Sequence, residues 1–479
     1  MNLLTIGWIA LPLFVGFSIY LLPRFDRYLA IAISLASMAY SLGLILTSEV
    51  IKLELTDSFG VTLMADSLSG YFILGNALVT AAVVLYCWRQ EKSAFFFTQL
   101  TVLHGSVNAV FICADFISLY VALEVIGIAA FLLISYPRTD RSIWIGLRYL
   151  FVSNTAMLFY LIGAVLVYQS SGSFAYEGLR QAPTDAIALI LLGLLTKGGI
   201  FVSGLWLPLT HSESETPVSA MLSGAVVKTG VFPLVRCALL INDINPILQL
   251  FSVATALLGV GYAIFEKDTK RMLAASTISQ LGFVLAAPAV AGPYALSHGL
   301  AKASLFLTAG NLPSRNFRTL HQTPIRWPVW GILTTASLSI AGVPLIAGFG
   351  AKTLTLKALE PWHSAVLTIA AVGTAVAFAK FIFIPFTRFS EADHKISSGF
   401  WPAALLLLGG LIAANAFSLT TYTPNNIFKA LLVAGIGWLI YGVCIRHLKV
   451  ELPRAAEKFE HLIGAMSLML VLLFGMGLV

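Results

Sequence analysis

The sequence predicts an all-α polytopic membrane protein. Of its 479 residues, 58% are hydrophobic and only 11% are charged, and the mean hydropathy is +0.89. This is more apolar surface than a soluble core can hide. The formal charge of +7 comes from lysines and arginines scattered over short loops. Without a basic tract, that excess indicates membrane topology rather than nucleic-acid binding.

Apolar segments long enough to cross about 30 Å of hydrocarbon recur along the whole chain. We predict about sixteen transmembrane helices, near 4–22, 28–47, 62–86, 95–113, 116–136, 145–169, 185–206, 217–241, 247–265, 272–291, 294–312, 329–356, 363–386, 400–420, 427–445 and 459–478. The connections between them are too short for a soluble domain, so a functional site must lie in the membrane. The segment 48–61 alternates apolar and polar residues around a Ser-Phe-Gly turn and predicts a small hairpin.

Basic residues concentrate in alternate loops. By the positive-inside rule these loops are cytoplasmic, which places both termini outside a bacterial-type plasma membrane. The opposite loops hold little more than Lys52, Arg180, Lys357 and Lys429. The basic loops contain Arg24, Arg27, Arg89, Lys92, Arg138, Arg141, Lys267, Lys270, Arg271, Arg315, Arg318, Arg326, Arg388, Lys395, Arg446, Lys449, Arg454 and Lys458.

Two lysines, Lys197 and Lys228, lie inside the seventh and eighth apolar segments, on either side of the polar stretch THSESET. A charged side chain at bilayer depth costs about 3 kcal/mol or more. Such a residue usually faces a protein interior or a wet cavity. The two lysines therefore predict a buried ion path.

Helix breakers cluster beside two buried lysines. Glycines follow Lys197 in the seventh segment, and AGVPLIAGFGAK places Pro344 and further glycines just before Lys352 in the twelfth. Breaks at depth are tolerated where they line a cavity or pack within protein, and in transporters they occur in matched pairs. We therefore predict that helices 7 and 12 are broken.

The spacing of the lysines predicts an internal repeat. Lys352 follows Lys197 by 155 residues, and Lys380 follows Lys228 by 152. Five apolar segments lie in 95–241 and five in 247–386, which is what two inverted five-helix repeats produce. The predicted organisation is helices 1–3 with the hairpin in 1–94, a first repeat in 95–241, a second in 247–386 and three C-terminal helices in 400–479.

One carboxylate, Glu124, lies in the middle of the fifth segment, LYVALEVIGIAAFLLI. An unpaired carboxylate at that depth is protonated, whereas a partner lysine keeps it ionised. We predict that Glu124 pairs with Lys197. Separating and rejoining this pair would change the proton affinity of the lysine, which is the elementary event of a proton pump.

Four motifs in order resemble the antiporter-like subunits shared by respiratory complex I and the Mrp multisubunit cation/proton antiporters. They are LPLTHSESETPVSAMLSGAVVKTGVFPLVR, FEKDTKRMLAASTISQLGFVL, HGLAKASLFLTAG and LSIAGVPLIAGFGAK. The stretches MADSLSGYFIL and DFISLYVALEVIGIAAFLLISY are most similar to the Mrp D subunit. The ionisable residue of the twelfth helix is lysine, as in that subunit, whereas the M-type complex I subunit has glutamate.

The resemblance implies a proton path through this chain. Glu124 and Lys197 match the gating pair, and Lys228 matches the bridging lysine. In HGLAKASLF, His298 and Lys302 match the central histidine and lysine; Lys352 matches the terminal lysine. The repeat adds Lys380 to the path. The family commonly has proline where Val202 stands, and the hairpin 427–479 is an addition to the fourteen-helix core.

Several of these residues have simpler interpretations. Lys228 can be a snorkelling helix-end lysine, and His298 can bond a neighbouring helix. We expect His104 and Asn108 to join helices, and structural ion pairs to explain Asp268, Lys270 and Arg271. His211, Glu213 and Glu215 form only a loose metal pattern, so no metal site is predicted. The four cysteines are expected to be small buried hydrophobes. The loop IRHLKVELPRAAEKFEH can be a solvated connection or can bind an accessory subunit or lipid head groups.

Two function classes follow from the resemblance. The first is a proton- and cation-translocating subunit of an Mrp-type Na⁺/H⁺ antiporter. The second is a proton-pumping N, M or D-type subunit of a complex I-related NAD(P)H or ferredoxin:quinone oxidoreductase, and proton- or sodium-coupled bicarbonate uptake is a further variant. We find no complete cofactor or nucleotide motif, so no cofactor and no catalytic residue is predicted. The expected partners are other membrane subunits, protons, Na⁺ and lipids, but not nucleic acid.

Overall fold

The structure is a computed structural model that describes residues 2–56, 60–241, 244–388, 396–448, 450, 452–454 and 457–477. Helices dominate the described residues, as the composition predicts. They are α1 (Asn2–Leu21), α2 (Asp26–Thr47), α3 (Ser67–Cys87), α4 (Ala94–Val110), α5 (Phe116–Ile134), α6 (Asp140–Ser171), α7 (Thr184–Lys197), α8 (Leu207–Glu213), α9 (Thr216–Met221), α10 (Lys228–Leu240), α11 (Asn245–Phe265), α12 (Thr269–Ala286), α13 (Ala291–Ala309), α14 (Phe317–Leu320), α15 (Trp327–Ala341), α16 (Ala347–Lys357), α17 (Pro361–Ile382), α18 (Phe400–Ala414), α19 (Pro424–Val443) and α20 (Phe459–Gly477).

Twelve helical spans in the described ranges are each long and apolar enough to cross a membrane. The pair α12 and α13, bent by 106° at a short break, meets the same criterion together. Two other predicted spans do not meet this criterion. Helix α4 has only 17 residues, and the predicted twelfth span is divided into the shorter helices α15 and α16. The all-α polytopic class is thus confirmed, whereas the count of sixteen helices stays a prediction.

Both predicted helix breaks are present. Helix α7 ends at Lys197, Gly199 has a positive φ of 68°, and a 3-10 turn over Phe201–Trp206 leads into α8. A Cβ at Gly204 would collide with the carbonyl oxygen of Gly199, so the glycines allow this tight turn. In the other break, α15 ends at Ala341, its C-cap residue Gly342 has a φ of 83°, and α16 begins at Ala347.

A third irregularity was not predicted. The eighth apolar segment reads as one continuous helix, but it consists of α9, a π-helical turn over Leu222–Val226 and then α10. Because a π-turn shifts the hydrogen-bonding register, it leaves carbonyl groups that the helix itself does not fully use. Lys228 is the first residue of α10, one residue beyond Val227.

The basic loops meet on one side of the helix bundle, which we call the basic face. Direct contacts join them in pairs: Lys92 to Glu215 at 2.8 Å and Arg315 to Asp268 at 2.8 Å. Strand β3 (Ile325–Arg326) pairs in parallel with β4 (Phe386–Thr387) across two of these loops. Lys395 and Lys449 lie outside the described residues. The grouping of the loops agrees with the predicted topology, and the compartment that they face stays a prediction.

The predicted hairpin is present on the opposite face. Strands β1 (Ile51–Thr56) and β2 (Gly60–Ala65) pair antiparallel, and residues 57–59 of the turn lie outside the described ranges. The backbone NH of Thr62 donates to Asp115, which also caps α5. The hairpin therefore packs as a structural cap over the start of that helix.

The two last helices contact different parts of the bundle. Helix α19 lies against α17, whereas α20 lies against α7 and the 3-10 turn that follows it. The predicted C-terminal hairpin is therefore open. Of the described residues that precede α20, Arg454 contacts Glu266 and Glu457 contacts Arg271. The boundaries of the two inverted repeats stay a prediction.

Candidate functional site

Five lysines of the predicted path are buried in the bundle: Lys197, Lys228, Lys302, Lys352 and Lys380. Among the described residues none of them forms an ion pair with a carboxylate within 4.0 Å. Each ammonium group instead donates to at least one backbone carbonyl oxygen, as detailed below. A carbonyl oxygen accepts a hydrogen bond from an ammonium group and from a neutral amine alike. Such sites hold the side chain in both protonation states.

Lys197 lies beside Glu124 without touching its carboxylate. The Nζ atom donates to the carbonyl oxygen of Leu123 at 3.1 Å and to Ser153 Oγ at 2.5 Å. Glu124 is half-buried in the middle of α5, directly after Leu123. The predicted ion pair is therefore absent from this conformation, although the two residues are neighbours. Because the lysine is held by neutral acceptors, the carboxylate is left without its expected partner.

Lys228 occupies the carbonyl groups that the π-turn exposes. Its Nζ atom donates to Gly224 O at 2.6 Å and to Ser223 O at 3.2 Å. Helix α13 packs closely here, since a Cβ at Gly299 would lie 3.4 Å from this Nζ and 2.8 Å from Gly224 O. Lys228 is 3% exposed, so the snorkelling interpretation does not fit.

His298 precedes Gly299 and borders a small cavity. Neither ring nitrogen has a hydrogen-bond partner among the described residues. The cavity holds about 10 Å³, which is room for one water molecule. Its other lining residues are Gln280, Tyr294, Ser297, Ser339, Ile340 and Gly348. The interpretation of His298 as a bond to a neighbouring helix is therefore not supported, and the imidazole is left available for a water or a proton.

Lys302 and Lys352 are each connected to this cavity through one of its lining residues. Lys302, one turn after His298 on α13, donates to Leu273 O at 2.9 Å and to Ser276 Oγ. Lys352 donates at 2.9 Å to the carbonyl oxygen of Ile340, which also lines the cavity. That oxygen belongs to the last turn of α15, where a positive charge is favoured by the helix dipole.

Lys380 occupies a different position. It lies near the end of α17 and donates to Ala263 O at 3.0 Å and Glu266 O at 2.8 Å, at the C-terminal end of α11. Lys228, its predicted repeat counterpart, lies in the middle of its span. Capping of α11 is therefore a structural role that Lys380 fills beside any role in the path.

The residues expected to be structural do make structural contacts. His104 bonds Ser37 at 2.9 Å and Thr80 at 3.0 Å, and Asn108 accepts a bond from Asn76 at 2.8 Å. These contacts join α2, α3 and α4, as expected. Asp268 caps α12 by accepting from the backbone NH of Arg271, and Lys270 donates to Ser214 O at 3.1 Å.

The three residues of the loose metal pattern, His211, Glu213 and Glu215, each make other contacts. Glu213 pairs with Arg141 at 3.3 Å, and Glu215 pairs with Lys92. His211 is buried between the rings of Trp206 and Phe306, at 6.0 Å from each centroid. No group of potential metal ligands was found in the described part of the chain.

Sequence reasoning missed polar side chains that contact the lysines or line the cavity at His298. Ser153 and Ser276 are hydroxyl residues inside apolar helices, and Tyr294 donates to Gln280 at 2.8 Å beside His298. The polar run STISQ in α12 was a usable signal for Ser276 and Gln280.

The sequence pointed to His211 only as a possible metal ligand. Its buried imidazole, whose nitrogens have no partner among the described residues, is a further titratable group near α13.

Five lysines are thus buried in a bundle of membrane-length helices, and each donates to a backbone carbonyl oxygen. The chain matches the family NADH:quinone oxidoreductase/Mrp antiporter, TM, over residues 113–377. It belongs to that family.

Relatives come from both branches of this family. The N subunit of the NADH-quinone oxidoreductase of Desulforudis audaxviator is 29% identical over 91% of this chain and 94% of its own length. The D subunit of the Na⁺/H⁺ antiporter of Alkalihalophilus pseudofirmus is 25% identical over 73% of this chain and 78% of its own.

Solved structures confirm the fold. A chain of the Mrp complex from Dietzia superposes with a TM-score of 0.78 at 24% identity, covering 98% of this chain and 59% of that one. A chain of an archaeal membrane-bound sulfane sulfur reductase also reaches 0.78, at 21% identity over 92% of this chain and 99% of that one. The chain is therefore an antiporter-like membrane subunit of the Mrp or complex I type.

Proposed function

We propose that this chain is the proton- and cation-translocating subunit of an Mrp-type Na⁺/H⁺ antiporter, exchanging cytoplasmic Na⁺ or another cation for external protons. The observation that carries the proposal is the series of buried lysines held by carbonyl oxygens rather than by carboxylates. A lysine in such a site keeps its hydrogen-bond acceptors when it releases and regains a proton. The Mrp D subunit resemblance and the lysine at position 352 favour the antiporter branch.

The proposed path runs between the two breaks. Glu124 and Lys197 form the gate, and Lys228, His298 and Lys302 connect this gate to Lys352. Lys352 exchanges protons with the outer side. Lys380 belongs to the path in the repeat interpretation, and its contacts at the end of α11 are its alternative role.

The gate has two states in this proposal. In the conformation described above, Lys197 bonds Leu123 O and Ser153 Oγ, and Glu124 is unpaired. In the other, the ammonium group leaves these acceptors for the adjacent carboxylate. Because an ion pair stabilises the charged forms of both groups, the switch changes how tightly the lysine holds its proton.

Proton pumping within a complex I-related redox enzyme is the second candidate. The extent of the similarity to an oxidoreductase N subunit, 91% of this chain and 94% of that subunit, favours it. We therefore propose to purify the assembly from its native membrane and record its absorbance. The antiporter proposal predicts no flavin or iron–sulfur absorbance, together with Na⁺-dependent proton flux in proteoliposomes without an electron donor. Cofactor absorbance with flux that requires a donor would replace it.

Glu124→Gln is expected to leave assembly intact and to lower the proton flux by about tenfold or more, because an amide cannot form the ionised partner of Lys197. Glu124 is only half-buried and has no ion pair in the described conformation, so folding should tolerate the change. The measurement is proton flux in proteoliposomes with purified complex. The matched control is Glu177→Gln, the same substitution at an exposed glutamate on the face opposite the basic face. Normal flux in a fully assembled Glu124→Gln complex would remove the gate.

The proposed orientation is tested with single thiols in a Cys444→Ser background, since the other three cysteines are buried. Glu54→Cys on the hairpin is expected to react with an impermeant maleimide in intact cells, because the hairpin faces outside. Thr319→Cys on the basic face is expected to react only after permeabilisation. Reversed labelling of the two positions would overturn the orientation.

A further inference from the structure

A large cavity lies beside α6, close to the basic face, and none of the buried lysines of the path lines it. Its volume is about 780 Å³. It is bounded by α6, by α8, by the start of α12 and by the described residues that precede α20. The charged lining residues are Arg148, Arg271, Arg454, Glu457, Lys458 and Glu460.

One arginine in this cavity, Arg148, has no hydrogen-bond acceptor for two of its three side-chain nitrogen atoms among the described residues. Arg148 is 4% exposed, and its Nη2 atom donates to the carbonyl oxygen of Glu457. Its Nε and Nη1 atoms have no hydrogen-bond partner among the described residues. A buried guanidinium group with two unused donors is costly unless an acceptor, most favourably an anion, completes it.

The neighbouring arginines differ from Arg148, because each already has carboxylate partners. Arg271 bonds Glu266 at 3.3 Å and also Glu457. Arg454 donates to both carboxylate oxygens of Glu266 at 3.2 Å. Burial raises the pKa of Glu266, but Arg454, Arg271 and two backbone NH groups outweigh this and hold the pKa below its usual range. Glu266 therefore stays ionised and remains with these arginines.

The charges around the cavity do not balance. Four cations line the cavity, Arg148, Arg271, Arg454 and Lys458, against the lining carboxylates of Glu457 and Glu460 and the carboxylate of Glu266 that Arg271 and Arg454 bind. One positive charge is left over, and the hydrogen-bond donors without a partner are Nε and Nη1 of Arg148. A monoanion with several acceptor oxygens, such as a phosphodiester, matches both the charge and the fork of donors.

The rest of the lining is apolar and open to the side of the bundle. Trp144 and Phe151 of α6 are 49% and 57% exposed, and Phe459 is 37% exposed. Together with Leu147 and Leu209 they border the charged end of the cavity. Basic groups next to apolar surface at the edge of a transmembrane helix suit a lipid, whose headgroup and chain have different polarity.

We propose that this cavity binds one anionic phospholipid, with its phosphodiester on Arg148 and its acyl chain along Trp144, Phe151 and Phe459. Because Arg148 also holds the Glu457 backbone, the lipid would fasten the start of α20 to α6. Helix α20 covers α7 and the turn at the first break, so the lipid would stabilise that cover.

The test is native mass spectrometry of the full chain released from its purified assembly. Phosphatidylglycerol or phosphatidylcholine is supplied in nanodiscs. The wild-type chain is expected to retain one phosphatidylglycerol molecule, and Arg148→Gln is expected to weaken that retention about tenfold, the effect of losing charge-assisted bonds. Arg318→Gln, an exposed arginine of the basic face outside the cavity, should retain lipid as the wild type does.

A second variant keeps the test decisive if Arg148→Gln misfolds. Trp144→Glu places a negative charge at the half-exposed rim and should also reduce phosphatidylglycerol retention without disturbing the core. Equal retention of both lipids, or unchanged retention in Arg148→Gln, would overturn the proposal. Inorganic phosphate is the third arm: if it displaces the lipid at millimolar concentration, or alone raises the melting temperature equally, the site is a phosphate site and not a lipid site.

Discussion

Lys228→Arg is expected to lower the proton flux by about a hundredfold, the scale on which a positioned proton-transfer group contributes. An arginine keeps its proton under all relevant conditions, whereas a lysine ammonium can release it. The larger guanidinium also has no room, because Gly224 O lies 2.6 Å from Nζ and the backbone of Gly299 closes the other side. The measurement is proton flux in proteoliposomes containing equal amounts of assembled complex.

Two controls separate proton transfer from anchoring. Lys228→Ala removes the charge and should be about as damaging as Lys228→Arg. Lys429→Arg changes an exposed lysine of α19 and should leave the flux unchanged. If Lys228→Arg transports normally, a permanent positive charge suffices, and Lys228 is an anchor for the π-turn rather than a proton carrier.

Lys352→Met is expected to abolish net transport, with a residual flux of about one-hundredth or less, because it removes the last titratable group before the outer side. Methionine keeps most of the packing volume of the side chain, so the fold should persist. Gly342 packs on this side chain, since a Cβ added at Gly342 would lie only 3.0 Å from Lys352 Cδ, and Lys352→Ala would therefore leave a cavity as well. Net flux and melting temperature are measured for both variants.

The comparison of the two variants identifies the cause of any loss. Both should lack transport, but only Lys352→Ala should also lower the melting temperature appreciably. The contacts of Lys197 to Leu123 and Ser153 lie in the first half of the chain and should be unaffected. Substantial net flux in the folded Lys352→Met complex would exclude Lys352 as the terminal proton carrier.

The lysines and the breaks were predictable because their signals are local. A charge inside an apolar segment stands out against its neighbours, and glycines beside Lys197 or Pro344 beside Lys352 mark a broken helix without knowledge of the fold. The hairpin over β1 and β2 was predictable for the same reason, since its alternation and its turn lie within 48–61.

The acceptors of the lysines were not predictable, because every residue has a carbonyl group and sequence does not reveal which of them a helix leaves unused. The π-turn before Lys228 exposes two such groups, and its segment reads as an ordinary apolar helix. For Lys197, charge complementarity favoured Glu124, but packing places Leu123 O and Ser153 Oγ nearer to the ammonium group.

The sequence by itself thus determined the membrane class, the family motifs, the broken helices and the identity of the buried titratable residues. Only the tertiary structure decided which groups hold each lysine, that Lys380 caps the end of α11, and that Glu457 joins Arg148 and Arg271 beneath α20. The physical reason is distance along the chain. Glu457 and Arg148 are 309 residues apart, and only the packing of the helices brings them together.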